Sequence, residues 1–307
     1  MAAREVKKEL FGRLRGILDA KYILTTEEQL KPFECDGLSV YKALPIVAVL
    51  PGTVEEVQAI IKVCYSLRIP LVTRGAGTGL SAGAKPNPEG LLLVMTRLNK
   101  ILSINTITQT AEVQPGVRNL AISEATKEHD LFYAPDPSSQ IACSIGGNIA
   151  ENAGGVHCLK YGLTVHNIIQ LKGFTMEGEP VTLGSGGLDN VGFNLQALII
   201  GSEGMLMVVT EITVKLLPLP RHTEVMLAAF DSVETAGNAV NKIIAAGVIP
   251  GGLEMMDNNA ICAAEDFAQA GYPRDAAAIL LIEIDGSSSN VEEQLQTTRE
   301  VLQHAGV

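Results

Sequence analysis

The run Arg74-Gly75-Ala76-Gly77-Thr78-Gly79-Leu80-Ser81-Ala82-Gly83 places four glycines within ten residues, directly after a predicted strand at 69–73. Glycines let backbone approach a ligand closely and turn its N–H groups inward. Such a nest of dipoles suits a pyrophosphate. Thr78 and Ser81 add hydroxyl donors, and Arg74 either supplies positive charge or pins the loop. A second cluster, Pro135-Asp136-Pro137-Ser138-Ser139, precedes the run Ser144-Ile145-Gly146-Gly147-Asn148-Ile149-Ala150-Glu151-Asn152-Ala153-Gly154-Gly155. Its small side chains leave room for a large planar ligand, and its Asn and Ser groups offer neutral hydrogen bonds to that ligand's edge. Alone this pattern also suits close packing of a helix on a sheet; beside the first loop it reads as the second wall of a cofactor slot. A third cluster, Gly201-Ser202-Glu203-Gly204, precedes a predicted long strand.

Other chemistries fit less well. Gly77, Gly79 and Ala82 satisfy the G-x-G-x-x-G/A dinucleotide fingerprint. A Rossmann turn, however, opens a long helix, and Pro86 and Pro88 stop any helix here. The next strand ends in Thr96-Arg97 and brings no acidic residue for a ribose hydroxyl. Gly79-Leu80-Ser81-Ala82-Gly83 matches a nucleophile elbow by letter, but Ser81 lies eight residues past Thr73 and the same prolines block the helix that an elbow needs. The five histidines, 129, 157, 166, 222 and 304, show no tight metal-ligand spacing. His157 lies beside the second cluster, where a packed loop histidine is the plainer reading.

The elements that must hold these loops follow from periodicity. Leu10, Phe11, Leu14, Ile17 and Leu18 predict an amphipathic N-terminal helix. Strand 46–50 precedes a Thr53/Glu56 capping box, for a helix running to about Arg68. Strands are predicted at 91–95, 101–105 and 111–114, and a helix at 117–129. A hairpin at 167–176 and 180–183 turns at Glu177-Gly178, and a long strand covers 205–216. Beyond Pro218 and Pro220 come a strand at 224–230 and a helix capped by Asp231 and Glu234 that runs to Gly247. Strands at 253–256 and 278–285 follow, then a last helix capped by Ser289 and Glu292 and stopped by Gly306. That order asks for one further strand, so the second unit is expected to be incomplete.

Composition sets limits. The 307 residues are 47% hydrophobic, enough for two cores. The net charge of −11 argues against binding nucleic acid. Five scattered cysteines without a C-x-x-C predict reduced thiols and a cytoplasmic chain. The charged N-terminus is no signal peptide, and the longest clean apolar run, 276–282, is too short to span a bilayer. Any membrane contact is expected to be peripheral, through partner subunits.

The three glycine clusters together resemble the FAD-binding domain of vanillyl-alcohol-oxidase-type flavoproteins, in the branch that holds D-lactate dehydrogenase and glycolate oxidase. The blocks carrying the resemblance are FECDGLS at 33–39, VTRGAGTGLSAG at 72–83, VQPGVRNLAIS at 113–123, YAPDPSSQIACSIGGN at 133–148, ENAGGVHCLKYGLTVHN at 151–167 and PGGLEMMDN at 250–258. The resemblance implies an α+β fold: an N-terminal helical segment at 1–45, an FAD-binding domain of two α+β subdomains at 46–220, and from 221 to 307 the start of a ferredoxin-like α+β cap. It implies that Arg74 and Gly75–Ser81 (Gly75, Ala76, Gly77, Thr78, Gly79, Leu80, Ser81) cradle the FAD pyrophosphate. Pro137, Ser138, Ser144, Gly146, Gly147, Asn148, Asn152 and Gly155 would lie along the flavin and ribityl chain, with Glu203 and Gly204 near the cofactor. Met207 departs from the pattern, standing where the family usually has glycine. The first loop has neither His nor Cys, which favours non-covalent FAD, although Cys143 and His157 lie near the second cluster. The implied activity is oxidation of a small 2-hydroxy acid, glycolate or D-lactate, within a complex that includes an iron–sulfur subunit. The base and the substrate-binding cation are expected in a C-terminal segment without counterpart here. An FAD-binding remnant without turnover is the alternative reading.

Overall fold

The computed structural model describes residues 2–185 and 192–304. The predicted stop at Gly306 lies outside them. The chain divides into two units. One holds residues up to Ala153 together with Leu163–Leu217; the other holds Gly154–Gly162 and the chain from Pro218 onward.

The first unit contains two main sheets, each with a core packed against it. In the first sheet the order is Ile23–Leu24, Val47–Val49, Leu91–Val94, Leu71–Arg74. The last three strands run parallel. Leu91–Val94 is buried along its whole length. That is why it reads as a continuous apolar run, since a parallel strand is covered on both faces. The helix Val54–Leu67 begins at the predicted capping box: Thr53 Oγ1 accepts from the Glu56 N–H at 3.2 Å, and Glu56 accepts from the Thr53 N–H. Arg68 ends it in the left-handed conformation. Leu10 and Leu14 of the N-terminal helix Ala2–Arg15 pack with Ile60, Ile61, Leu91 and Leu93.

The second sheet is wholly antiparallel, in the order Ile101–Asn105, Thr110–Val113, Val208–Lys215, Ile168–Phe174, Pro180–Leu183. Val208–Lys215 alternates buried and half-buried residues, the period of two that a one-sided strand demands. It starts three residues later than predicted, because Met205 and Leu206 remain in the preceding turn. The helix Asn119–Thr126 and the short helix Ile145–Glu151 cover this sheet through Ile122, Ile145 and Ile149.

The second unit is a three-stranded antiparallel sheet with Ala278–Gly286 between His222–Phe230 and Gly252–Asp257. Its core gathers Ala236 and Ile243 of the helix Val233–Ala245, and Val291 and Leu302 of the helix Ser288–His304, on Leu280, Ile282 and Ile284. Three corrections apply here. The cap of Val233–Ala245 is Ser232, whose Oγ accepts from the Thr235 N–H at 3.1 Å, and not Asp231. The last helix already begins at Ser288, so Ser289 lies inside its first turn. A helix at Asn258–Ala268 was not anticipated; Asp257 caps it by accepting from the Ala260 N–H at 2.8 Å.

Among the described residues no helix is long and apolar enough to cross a membrane, and no group of His, Cys, Asp and Glu is placed to hold a metal ion. The five cysteines are free. Burial pushes the Cys64 thiol up to about 12, which marks it as a core group with no reactive role.

Candidate functional site

The first unit contains a cavity of about 330 Å³, within the range of small-molecule sites. The glycine loop forms one wall, and the residues from Pro137 to Ala153 form the other. No helix follows the glycine loop before Leu91, in agreement with the reading of Pro86 and Pro88. Among the described residues the backbone N–H groups from Gly75 to Gly83 have no hydrogen-bond partner within the protein. Half-buried donors left unpaired cost free energy. A row of them in a loop that lines a cavity is therefore a ready set of donors for anionic oxygens.

The glycines are required by the space around them. A Cβ on Gly75 would overlap Ser144 Oγ of the opposite wall. Gly77 has φ +74°, and a side chain there would also overlap the Arg74 guanidinium. A Cβ on Gly146 would come within 2.7 Å of Pro115. Gly37 fits against the Thr78 and Gly79 carbonyls, where a Cβ would lie 2.9 and 2.8 Å away. The loop is thus held in close contacts that only glycine permits.

Arg74 is 7% exposed and does not line the cavity. Its Nη1 donates to the Cys35 carbonyl at 2.6 Å, and its guanidinium lies 5.6 Å from the Phe33 ring centroid. Burial lowers its pKa, opposed by the charge of Asp36. Of the two roles read from sequence, the geometry supports pinning the loop from behind. Of the other predicted residues, Gly75–Ser81, Pro137, Ser138, Ser144, Gly146, Gly147, Asn148, Glu203 and Gly204 all line the cavity. Two do not. Asn152 adopts φ +52° at the helix end, and its Oδ1 accepts from the Val165 N–H at 3.0 Å. Gly155 belongs to the second unit.

Within the second wall, Ser144 Oγ accepts from the Gly147 N–H at 3.3 Å and caps the short helix. The Asn148 carboxamide is occupied internally: its Oδ1 accepts from Asn119 Nδ2 at 3.0 Å, and its Nδ2 donates to Cys143 Sγ at 3.4 Å. Asn119 Nδ2 also donates to the Pro135 carbonyl at 2.9 Å. Asn119 therefore ties the Pro-Asp-Pro loop to the helix that forms the wall. It was missed as a site residue, because its partners lie 16 and 29 residues away.

Two carboxylates line the cavity, and only Glu203 was anticipated. Glu203 has φ +54°, unusual for a residue with a side chain. The Glu203 N–H donates to the Ala150 carbonyl at 2.8 Å, so this turn is fixed beside Glu151. Burial raises the Glu151 pKa, and the charges of Glu203 and Asp36 raise it further. Burial and then Asp36 raise that of Glu203. Glu151 is exposed where it lines the cavity, so the burial that raises its pKa is only partial. Met207 is 3% exposed: it packs in the core near Gly173 and also contributes to the cavity wall.

The second unit has a polar cluster of its own. His157 Nε2 lies 3.0 Å from Glu283 Oε1. Lys160 Nζ donates to the Asp285 carbonyl at 2.7 Å and pairs with its carboxylate at 2.5 Å. The Tyr161 hydroxyl donates to Asp285 Oδ2. Each named group is engaged within the unit, which matches the plainer reading of His157.

A bound dinucleotide has a diphosphate for unpaired N–H donors and a planar ring system for an apolar slot. The loop and the cavity fit both. Sequence comparison agrees with this. An FAD-binding domain model matches residues 45–184, and the model of the C-terminal domain of FAD-linked oxidases matches 219–307. The glycolate oxidase subunit GlcD of Escherichia coli K12 is 63% identical over 293 residues, covering 95% of this chain and 59% of that protein. A D-lactate dehydrogenase of Anaerostipes hadrus is 32% identical, covering 98% of this chain and 65% of that protein. The structure of p-cresol methylhydroxylase superposes with a TM-score of 0.86 at 18% identity, over 98% of this chain and 65% of that one. The chain spans about three fifths of the length of the curated relatives it matches.

Proposed function

Since the chain belongs to the FAD-linked oxidase family, we infer that it carries non-covalent FAD and serves the oxidation of a small 2-hydroxy acid, glycolate or D-lactate, to its 2-oxo acid. The observation that carries this reading is that the loop Gly75–Ser81, whose N–H groups have no partner within the protein, lines a cavity whose opposite wall is rich in glycine. Similarity to a glycolate oxidase subunit and a D-lactate dehydrogenase supports the substrate class.

Bound FAD supplies the acceptor for a hydride leaving the substrate's α-carbon. The chain's residues bind and orient it. The Gly75–Ser81 N–H groups hold the diphosphate, helped by the Thr78 and Ser81 hydroxyls. Arg74 fixes the loop from behind by holding the Cys35 carbonyl. Asn119 sets the distance between the Pro137–Ser138 segment and the helix wall. Ser144 and Gly147 close the wall near the loop. No residue of this chain is assigned as the base. Electrons leave to partner subunits, an iron–sulfur subunit among them, as in a multi-subunit oxidase.

Anaerobic addition of glycolate or D-lactate to the FAD-loaded protein tests this. Bleaching of the flavin bands, with one 2-oxo acid formed per flavin reduced, is the expected result. Bound flavin that stays oxidised with both acids would overturn the substrate reading and leave the cofactor reading standing.

A further inference from the structure

The cavity carries an electrostatic contradiction. Its loop is built for an anion, yet carboxylates crowd it. A Cβ on Gly79 would overlap Glu151 Oε1, and a Cβ on Gly83 would overlap Glu203 Oε2. Both carboxyls therefore lie against the loop whose N–H groups are unpaired. Glu151 is also the last residue of its helix, at the negative end of the helix dipole.

Asp36 adds a third carboxylate. It is 6% exposed, its Oδ1 accepts from the Leu38 N–H at 2.9 Å, and its buried Oδ2 has no partner among the described residues. Its neighbour Gly37 touches the loop at Thr78 and Gly79. The ionisable groups acting on Glu151 are Glu203 and Asp36, and the group acting on Glu203 is Asp36. Arg74 faces Asp36 and Cys35. Among the described residues no lysine, arginine or histidine pairs with Glu151, Glu203 or Asp36. A diphosphate in the cavity would therefore meet the two lining carboxylates, with the buried Asp36 and Arg74 outside the cavity wall.

Two chemistries resolve this: a cation between the carboxylates and the phosphates, or protons on the carboxyls. Among the described residues no three His, Cys, Asp or Glu side chains are gathered to hold a metal ion, so the chain by itself builds no cation site, which favours protons. Resting on the FAD reading, we propose that Glu151 and Glu203 face the bound diphosphate as neutral carboxylic acids whose O–H groups donate to it, so that cofactor binding takes protons up from solvent. The pKa directions agree, because burial already raises both carboxyls in the free chain and a bound dianion raises them further. Each proton taken up makes affinity fall up to about tenfold per pH unit as pH rises between the free and bound pKa values.

Calorimetric titration of the FAD-free chain with FAD, in two buffers of different ionisation enthalpy and with a chelator present, reads this directly. The expected result is proton uptake of up to about two per FAD, one for each carboxyl, with affinity falling from weakly acid to alkaline pH. Glu151→Gln keeps a neutral donor without titrating; it should lower the uptake, flatten the pH profile and bind more tightly than the parent at alkaline pH. Binding with no proton uptake overturns the proposal. So does binding that the chelator abolishes and magnesium restores, since a cation would then do the neutralising. A folded chain that binds no FAD at any pH overturns the cofactor reading together with the proposal.

Discussion

Gly77→Val is expected to lower FAD affinity by roughly 100-fold or more. Gly77 has φ +74°, and its missing side chain is the space that the Arg74 guanidinium occupies. A β-branched residue in the left-handed region costs about 1–2 kcal/mol. Relief of the overlap must then move either the guanidinium or the loop, and both routes misdirect the N–H row. A combined cost of about 3 kcal/mol corresponds to the predicted loss, at about 1.4 kcal/mol per tenfold. Titration followed by flavin fluorescence measures it. Gly237→Ala is the control: it lies in the helix Val233–Ala245 with nothing within 4 Å of the added Cβ. It should leave affinity unchanged and raise stability by up to about 1 kcal/mol. A Gly77→Val chain that binds FAD normally would mean the loop does not hold the diphosphate.

Arg74→Met should have the second largest effect, on stability and binding together. Methionine keeps much of the side-chain length but leaves the Cys35 carbonyl without its donor and Asp36 without a nearby cation. Leaving a buried acceptor without its charged donor costs about 1–3 kcal/mol. Thermal unfolding should show the loss in the FAD-free protein. The weaker FAD binding should follow from the loop's lost support, since Arg74 does not line the cavity. Arg74→Lys should rescue only part of this, because one ammonium cannot both donate to the Cys35 carbonyl and stack on Phe33 as a planar guanidinium does. Unchanged stability in Arg74→Met would refute the pinning role.

Local signals were legible in the sequence. Thr53 and Glu56 marked a helix start because a capping box is complete within four residues. Leu91–Val94 was legible because a strand covered on both faces must be continuously apolar. The two glycine clusters were readable as facing walls because Gly75 and Gly146 are positions where a side chain has no room. What depends on long-range pairing was not legible. Asn119 looked like an ordinary helix residue until Pro135 and Asn148 were brought to it. Glu151 ended an apparently structural helix until the turn at Glu203 was hydrogen-bonded beside it. His157 and Lys160, next to the second glycine cluster in sequence, join partners 126 and 125 residues away. The helix Asn258–Ala268 was missed because its cap, Asp257, is also the last residue of a strand, which hides the boundary between the two elements.

The measurement that tests the central claim most directly is the flavin content of the purified chain after incubation with excess FAD and removal of the unbound cofactor. The account predicts one FAD per chain, seen as flavin absorbance bands and released intact on denaturation, as non-covalent binding requires. A chain that is folded by circular dichroism and yet retains no flavin would contradict it.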